Sequence, residues 1–265
     1  MKNVLLLVHD DEGQEARLQA ALDLTRALGG HLRCVDVTPL IVVAGDMYVG
    51  IGQGAVLVDE RESEGRNKER LTARLAKEDA PWDWIDVTGE FASCLLKEAS
   101  LADVVVLNRQ LDQFPLPDMR MVTSQVLMHA RVPVLAVPQT LERFNIGRAV
   151  LAWDGRACCI ATMRASVPLL ALADEVEVLT IHDGSIEAAP ADAARYLSRH
   201  GVDTTIRSVN DRLHPIETII EEECARFRAD YLVMGAYGRG RLMETFGGVT
   251  KRLLTRSKYP LLLGH

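Results

Sequence analysis

The stretch Tyr231-Leu-Val-Met-Gly-Ala-Tyr-Gly-Arg-Gly-Arg-Leu-Met-Glu-Thr-Phe-Gly-Gly-Val-Thr250 decides how this chain is read. Its first four residues are an apolar run with the look of a buried strand, and Lys251-Arg-Leu-Leu-Thr-Arg256 beyond it reads as a helix. A glycine-rich loop leaving a strand and entering a helix has the geometry that cradles phosphate. Gly235 and Gly238 would let a ligand approach the backbone closely. Gly247 and Gly248 would leave amides bare at the helix start, where the helix dipole favours anions. Thr250 offers a hydroxyl, and Arg239, Arg241, Lys251 and Arg252 supply positive charge nearby. The competing reading is a surface turn whose glycines serve only clearance, and short glycine motifs often turn out so.

Working outward, the same order of elements appears twice. In the first half, Asn3–Val8, His31–Val37, Trp84–Val87, Asp103–Asn108 and Pro133–Val137 read as strands. Helical patterns fall between them over Glu15–Leu28, Asp59–Glu78, Phe91–Ala99 and Val122–Ala130. In the second half the strands are Ala149–Trp153, Glu175–Ile181, Thr204–Val209, Asp230–Met234 and Pro260–Leu263. Strand and helix alternating in this way imply α/β architecture: two tandem doubly wound domains, each with a five-stranded parallel sheet and right-handed crossovers. The expected boundaries are 1–141 and 146–265.

The repeat has a register. Asp103 and Asp230 open matching strands and lie 127 apart, as do Pro133 and Pro260. Asp10 and Asp154, which follow the two first strands, lie 144 apart, so the first half carries 17 extra residues, expected in the Gly- and Val-rich segment Pro39–Gly54. On the 127 offset the counterparts of Gly235, Gly238, Gly247 and Gly248 are Asn108, Leu111, Arg120 and Met121. Pro115 and Pro117 also stand in that loop and remove amide donors. A loop that only joins strand to helix does not need the four glycines, which favours an anion or nucleotide site in the second half alone.

Composition narrows the classes. The chain has 265 residues, 48% hydrophobic and 25% charged, with a net charge of −7, which argues against non-specific nucleic-acid binding and against a polybasic membrane surface. No apolar run is long enough to span a membrane, and the N-terminal apolar run is too short for a signal peptide and is followed at once by Asp10, Asp11 and Glu12. Five cysteines without a CxxC pair suggest reduced thiols and a cytoplasmic location. Vicinal Cys158 and Cys159 read as buried small residues at a helix start. There is no Gly-x4-Gly-Lys-Ser/Thr loop, no Gly-x-Ser-x-Gly elbow and no paired-histidine metal spacing. No catalytic residue and no metal ligand is assigned.

Two halves of this shape, with Gly235-Ala-Tyr-Gly238-Arg-Gly and then Gly-Gly-Val-Thr250 before a helix, resemble a tandem universal stress protein over essentially the whole chain. Nucleotide-binding members of that family carry Gly-x2-Gly-x9-Gly-(Ser/Thr). Here Gly235, Gly238 and Gly248 match with Val249 in the last place; alternatively Gly247-Gly248-Val249-Thr250 matches a Gly-Gly-Val-Thr variant with the loop one residue shorter. The resemblance implies a Rossmann-like, adenine nucleotide alpha hydrolase-like fold. It implies ATP or ADP, with or without Mg, held in the second half by Ala152, Trp153, Asp154, Ile181, Met234, Gly235, Tyr237, Gly238, Arg239, Gly247, Gly248, Val249 and Thr250. Asp154 would approach the adenine, the backbone near Ile181 would bound it, and Gly248, Val249 and Thr250 would hold the outer phosphates. The function implied is a stress-response protein acting as a nucleotide-dependent regulator or chaperone-like factor. The last strands, Val134–Val137 and Leu261–Leu263, would pair inside the chain as a pseudo-dimer, with association into a homodimer left open. Two other classes stand beside this one: a lipid- or metabolite-binding module in the first half, and a weak ATPase.

Overall fold

The computed structural model describes residues 1–39, 52–111, 118–184, 186–236 and 248–265, and of residues 52–63 the backbone alone. In the first half β1 (Asn3–Val8), β2 (His31–Pro39), β3 (Trp82–Gly89), β4 (Val104–Asn108) and β5 (Val134–Val137) alternate with α1 (Gln14–Leu28), α2 (Gly52–Leu75), α3 (Phe91–Glu98) and α4 (Met119–His129). The second half repeats this with β6 (Arg148–Ala152), α5 (Ala157–Leu170), β7 (Glu175–Ile181), α6 (Pro190–Ser198), β8 (Thr204–Val209), α7 (Ile216–Phe227), β9 (Tyr231–Gly235), α8 (Val249–Arg256) and β10 (Leu261–Gly264).

The two expected sheets are one. Ten strands run in the order β3-β2-β1-β4-β5-β10-β9-β6-β7-β8. Within each half every pairing is parallel, and the halves meet where β5 and β10 pair antiparallel, Leu262 opposite Leu135. Both joining strands are buried throughout, Val134–Val137 and Leu261–Leu263, so the pairing removes two apolar edges that would otherwise be exposed to association. Because the join is antiparallel, the carboxyl ends of the two parallel sets point to opposite edges of the sheet. One apolar cluster joins α1, α2, α5 and α6 to one face; a second joins α3, α4, α7 and α8 to the other. Buried central strands such as Val4–Val8 and Tyr231–Met234 explain the uninterrupted apolar runs, since both faces are covered. Trp82 and Trp84 lie partly buried on the edge strand β3, packed against the first cluster.

The aspartates that set the repeat register have a shared task. Asp103 accepts hydrogen bonds through Oδ2 from the amides of Lys2 (2.6 Å) and Asn3 (2.8 Å), and Asp230 does the same for Arg148 (2.8 Å). Each carboxylate satisfies amides at the start of the first strand of its half. For Asp103, burial would raise the carboxyl pKa, but the bonds from Asn3 and Lys2 outweigh it and hold it below its ordinary value.

These bonds also correct the sequence alignment of the first strands. Val4 pairs with Val104 as Ala149 pairs with Tyr231, so the offset is 145 and the counterpart of Asp154 is His9, not Asp10. The first half therefore carries 18 extra residues (145 minus 127). They are not confined to 39–54. Leu32 to Trp82, across β2 and β3, spans 50 positions against 28 from Val176 to Thr204, because the 24-residue α2 replaces the 9-residue α6. Between β3 and β4 the first half is instead five shorter, 22 against 27. One further residue lies between β1 and β2. Of the segment Pro39–Gly54, residues 40–51 lie outside the described residues.

Candidate functional site

In a doubly wound sheet the crevice opens at the carboxyl ends of the two central strands, where the strand order reverses. In the second half these are β6 and β9, paired with Ala152 opposite Met234. Trp153 extends β6, its amide donating to Leu179 O (2.8 Å), and is buried. Asp154 follows, half-buried, and its Oδ1 accepts from the Arg156 amide (3.0 Å). This is the local turn-closing role of an aspartate just before a helix. A segment from the β7–α6 connection crosses over the same turn. Glu187 N donates to Asp154 O (2.8 Å), and the Trp153 indole Nε1 donates to Ala188 O (2.9 Å). Arg156 lies between two carboxylates, its Nε 3.3 Å from Glu187 Oε1 and 3.8 Å from Asp154 Oδ2. Gly155 has φ +75, and a Cβ there would come within 2.7 Å of the Ala188 Cβ. Both left-handed backbone and lack of room demand the glycine.

At the end of β9, Met234 is buried and Gly235 has a clear packing reason to be glycine. A Cβ on it would lie 2.5 Å from Cys159 N and 2.7 Å from Cys159 Cα. The backbone of α5 fills the space the sequence reading reserved for a ligand, so at this one position clearance accounts for the glycine. Cys159 is buried and its thiol donates to Ala152 O (3.3 Å); burial pushes its pKa up to about 12, leaving it an inert core group. Cys158 beside it is half-buried, with its thiol also raised by burial.

The first half solves the same close approach the other way round. Asn108 is the register counterpart of Gly235, since Asn108 faces Val137 as Gly235 faces Gly264. Its side chain is fully buried, and the glycine has moved to the helix side: a Cβ on Gly13 would lie 2.5 Å from Leu111 Cδ2 and 2.6 Å from Asn108 Cγ. Arg17, also fully buried, donates to Leu7 O (3.2 Å), His9 O (3.0 Å), Asp11 Oδ1 (2.8 Å) and Asn108 Oδ1. The crevice of the first half is thus filled by an arginine that satisfies strand-end carbonyls.

The loops after β4 and β9 lead into α4 and α8, and the starts of these helices differ. Asp118 caps α4, its Oδ1 accepting from Arg120 N (3.0 Å) and Met121 N (3.3 Å). Gly248 stands at the N-cap of α8 and supplies no side-chain cap. Among the described residues no side chain caps these first-turn amides of α8, which at a helix start suit an outside acceptor. Thr250 is buried in that first turn, Val249 packs against the core, and Arg252 pairs with Glu217 at 2.8 Å. The other end of α8 is met from the first half. Arg109 Nη1 donates to Leu254 O (3.3 Å) and Thr255 O (3.1 Å), a cation at the negative end of the helix dipole.

The structure thus brings Ala152, Trp153, Asp154, Met234 and Gly235 together at one crevice, with Ile181 at the end of β7 next to β6 and Gly248, Val249 and Thr250 starting α8. Tyr237, Gly238, Arg239 and Gly247 lie outside the described residues. Sequence reasoning missed Arg156, Glu187 and Ala188, which close over Asp154, and Arg109, which crosses between halves. Only Arg156, two residues after Asp154, had a local cue. Among the described residues no group of three or more His, Cys, Asp or Glu side chains is placed to hold a metal ion, and no helix is long and apolar enough to cross a membrane.

No protein-family model matches the chain, and no curated protein matches it. Solved structures do. A universal stress protein from Archaeoglobus fulgidus DSM 4304 superposes with a TM-score of 0.76 at 14% identity, over 99% of this chain and 97% of that one. A protein of unknown function from Pseudomonas aeruginosa PAO1 superposes with a TM-score of 0.60 at 16% identity, over 100% of this chain and 92% of that one. At such identities the likeness is one of fold: the chain has the Rossmann-like architecture found in a universal stress protein.

Proposed function

We propose that this chain, built on the fold of a universal stress protein, is a stress-response protein that binds an adenine nucleotide in its second half. It comprises two units, 1–141 and 146–265, and works in the cytoplasm as a nucleotide-dependent regulator or chaperone-like factor. The observation that carries the reading is the contrast between α4, closed by Asp118, and α8, which starts on Gly248 with no side-chain cap. An uncapped helix start at the carboxyl edge of a doubly wound sheet suits a phosphate chain.

In this reading ATP or ADP lies along the β6–β9 crevice. Asp154 accepts from the exocyclic amine of the base, and the backbone at Ala152, Trp153 and Ile181 borders the ring. Gly248, Val249 and Thr250 take the outer phosphates. The segment containing Tyr237, Gly238, Arg239 and Gly247 passes beneath ribose and phosphates, Met234 and Gly235 form the floor, and Mg would be held through the phosphates. Asp154 Oδ1 accepts from the Arg156 amide in this structure, so turning toward a base requires that bond to break and leaves the Arg156 guanidinium facing Glu187.

Calorimetric titration with ATP, ADP and AMP, each with and without Mg, tests the proposal. Saturable ATP binding to the full chain is expected, weakened about tenfold or more in Gly248→Asp, where a carboxylate would take over the helix amides and repel phosphate. Gly238→Val should abolish binding with little loss of fold. Equal affinity in wild type and both variants would rule the site out.

A further inference from the structure

We propose that the docking of α2 onto the first half is a proton-operated clasp, tightening as pH falls below neutral and loosening as it rises back, with Asp36 and His9 taking up the protons. The inference is independent of the nucleotide reading.

The geometry begins in the sheet. Asp36 on β2 stands opposite Asp86 on β3, and residues paired in this way share a face, so two carboxyl groups are neighbours. On its other side Asp36 is paired with Val8 of β1, just before His9. From above, α2 brings Glu64 and Lys68. Among the described side chains that act on Asp36, like charges dominate: Glu64 and Asp86 stand against the Lys68 ammonium and the His9 imidazole. Both cations are committed elsewhere. Lys68 Nζ is bonded to Asp86 Oδ2, whose Oδ1 accepts from Trp84 Nε1 (3.0 Å). His9 Nδ1 is 2.7 Å from Glu64 Oε1. Asp36 is 4% exposed, and its Oδ1 has no hydrogen-bond partner. A buried carboxyl beside two carboxylates, with one oxygen left without a donor, favours its protonated form.

Both titrations run in the same direction. Burial, then the charges of Glu64 and Asp86, push Asp36 up to about 7, against smaller opposing effects of Lys68 and His9. For His9 burial opposes protonation, but the bond to Glu64 and the charges of Glu64 and Asp11 outweigh it and Arg17, so its pKa is raised. Each group therefore binds its proton more tightly with α2 docked than free. The stabilisation from Asp36 is complete below its free value, roughly 4, and is lost as pH rises toward 7. That from His9 is lost as pH rises through its raised value.

Other ties of α2 among the described residues include amide to amide between Asn67 and Gln14, the Arg74 to Gln19 hydrogen bond, and the ion pairs Arg70 to Asp10 and Arg74 to Glu15. Leu71 and Leu75 are its buried apolar contacts among the side chains described. Glu64 meets His9 at the carboxyl edge of the sheet, so loosening the clasp uncovers the first half's crevice edge.

Hydrogen exchange of the full chain tests this. Protection of amides 66–75, corrected for intrinsic rates, should fall roughly tenfold per pH unit between about pH 5 and pH 6.5, as one proton requires, while amides 157–170 of α5 change little. Asp36→Asn should remove most of that slope. Wild-type protection flat across this range, or an unaltered slope in Asp36→Asn, would overturn the proposal. Should that variant fail to fold, the carboxyl carbon shift of Asp36 in wild type decides: a midpoint near 7 supports the clasp and one below 5 refutes it.

Discussion

Asn108 and Gly235 hold the same position in the two halves, and each meets the start of the helix that follows the first strand of its half, at Gly13 and at Cys159. Wherever a strand end presses on the start of the helix from the central strand beside it, one of the two must lack a side chain. The first half spends its glycine on the helix and places an amide on the strand; the second does the reverse. The difference decides what remains at the crevice. With Asn108 in place, Arg17 finds an acceptor and occupies the strand ends. With Gly235 in place no such plug exists among the described residues, and the neighbouring helix α8 keeps its amides uncapped.

The most damaging way to probe this contrast is Arg17→Met. It strips a buried guanidinium from four oxygens and leaves Asp11 and Asn108 buried without it, which should cost about 3–5 kcal/mol in urea unfolding of the full chain. A loss under 1 kcal/mol would mean that Arg17 is no plug. Gly13→Ala should cost about 1–3 kcal/mol by overpacking. Since the obstacles are the side-chain tips of Asn108 and Leu111, Asn108→Gly combined with Leu111→Ala should rescue it with a coupling of about 1 kcal/mol or more. Gly235→Ala meets backbone instead, so truncating Cys159 to Ala should give no rescue, and rescue there would break the comparison. Asp118→Ala should cost α4 about 1 kcal/mol, whereas Gly248→Ser, which adds a cap to α8, should gain a few tenths, both read from thermal unfolding. Last comes Arg143→Ala. It removes an exposed pair to Asp23 between the halves and should shift stability by no more than about 0.5 kcal/mol.

Much of the fold was legible because it depends on local pattern. β1, β7 and β8 run over the stretches read as strands, and the Asp103/Asp230 register was right because each carboxylate caps a strand start. The pairing of His9 with Asp154 was not legible. A search for matching aspartates picked Asp10, while the sheet aligns by hydrogen bonds and ignores side-chain identity. The start of α2 escaped as well, its first turn Gly52-Gln-Gly-Ala having no helical signal of its own. At the candidate site, Asp154 and the uncapped start at Gly248 could be read from glycine and aspartate placement. Arg109 on Leu254 and Thr255 could not, because it depends on β5 and β10 meeting antiparallel, a contact 145 residues away in sequence.

That antiparallel seam has one more effect. It turns the molecule into a plank with two unlike rims, facing away from each other. At one rim the Arg17 guanidinium fills the strand ends; at the other α8 starts on Gly248 with no side-chain cap. Arg109, standing just after β4 at one rim, holds the last carbonyls of the helix that starts at the other, so α8 is tied into both halves of the sheet.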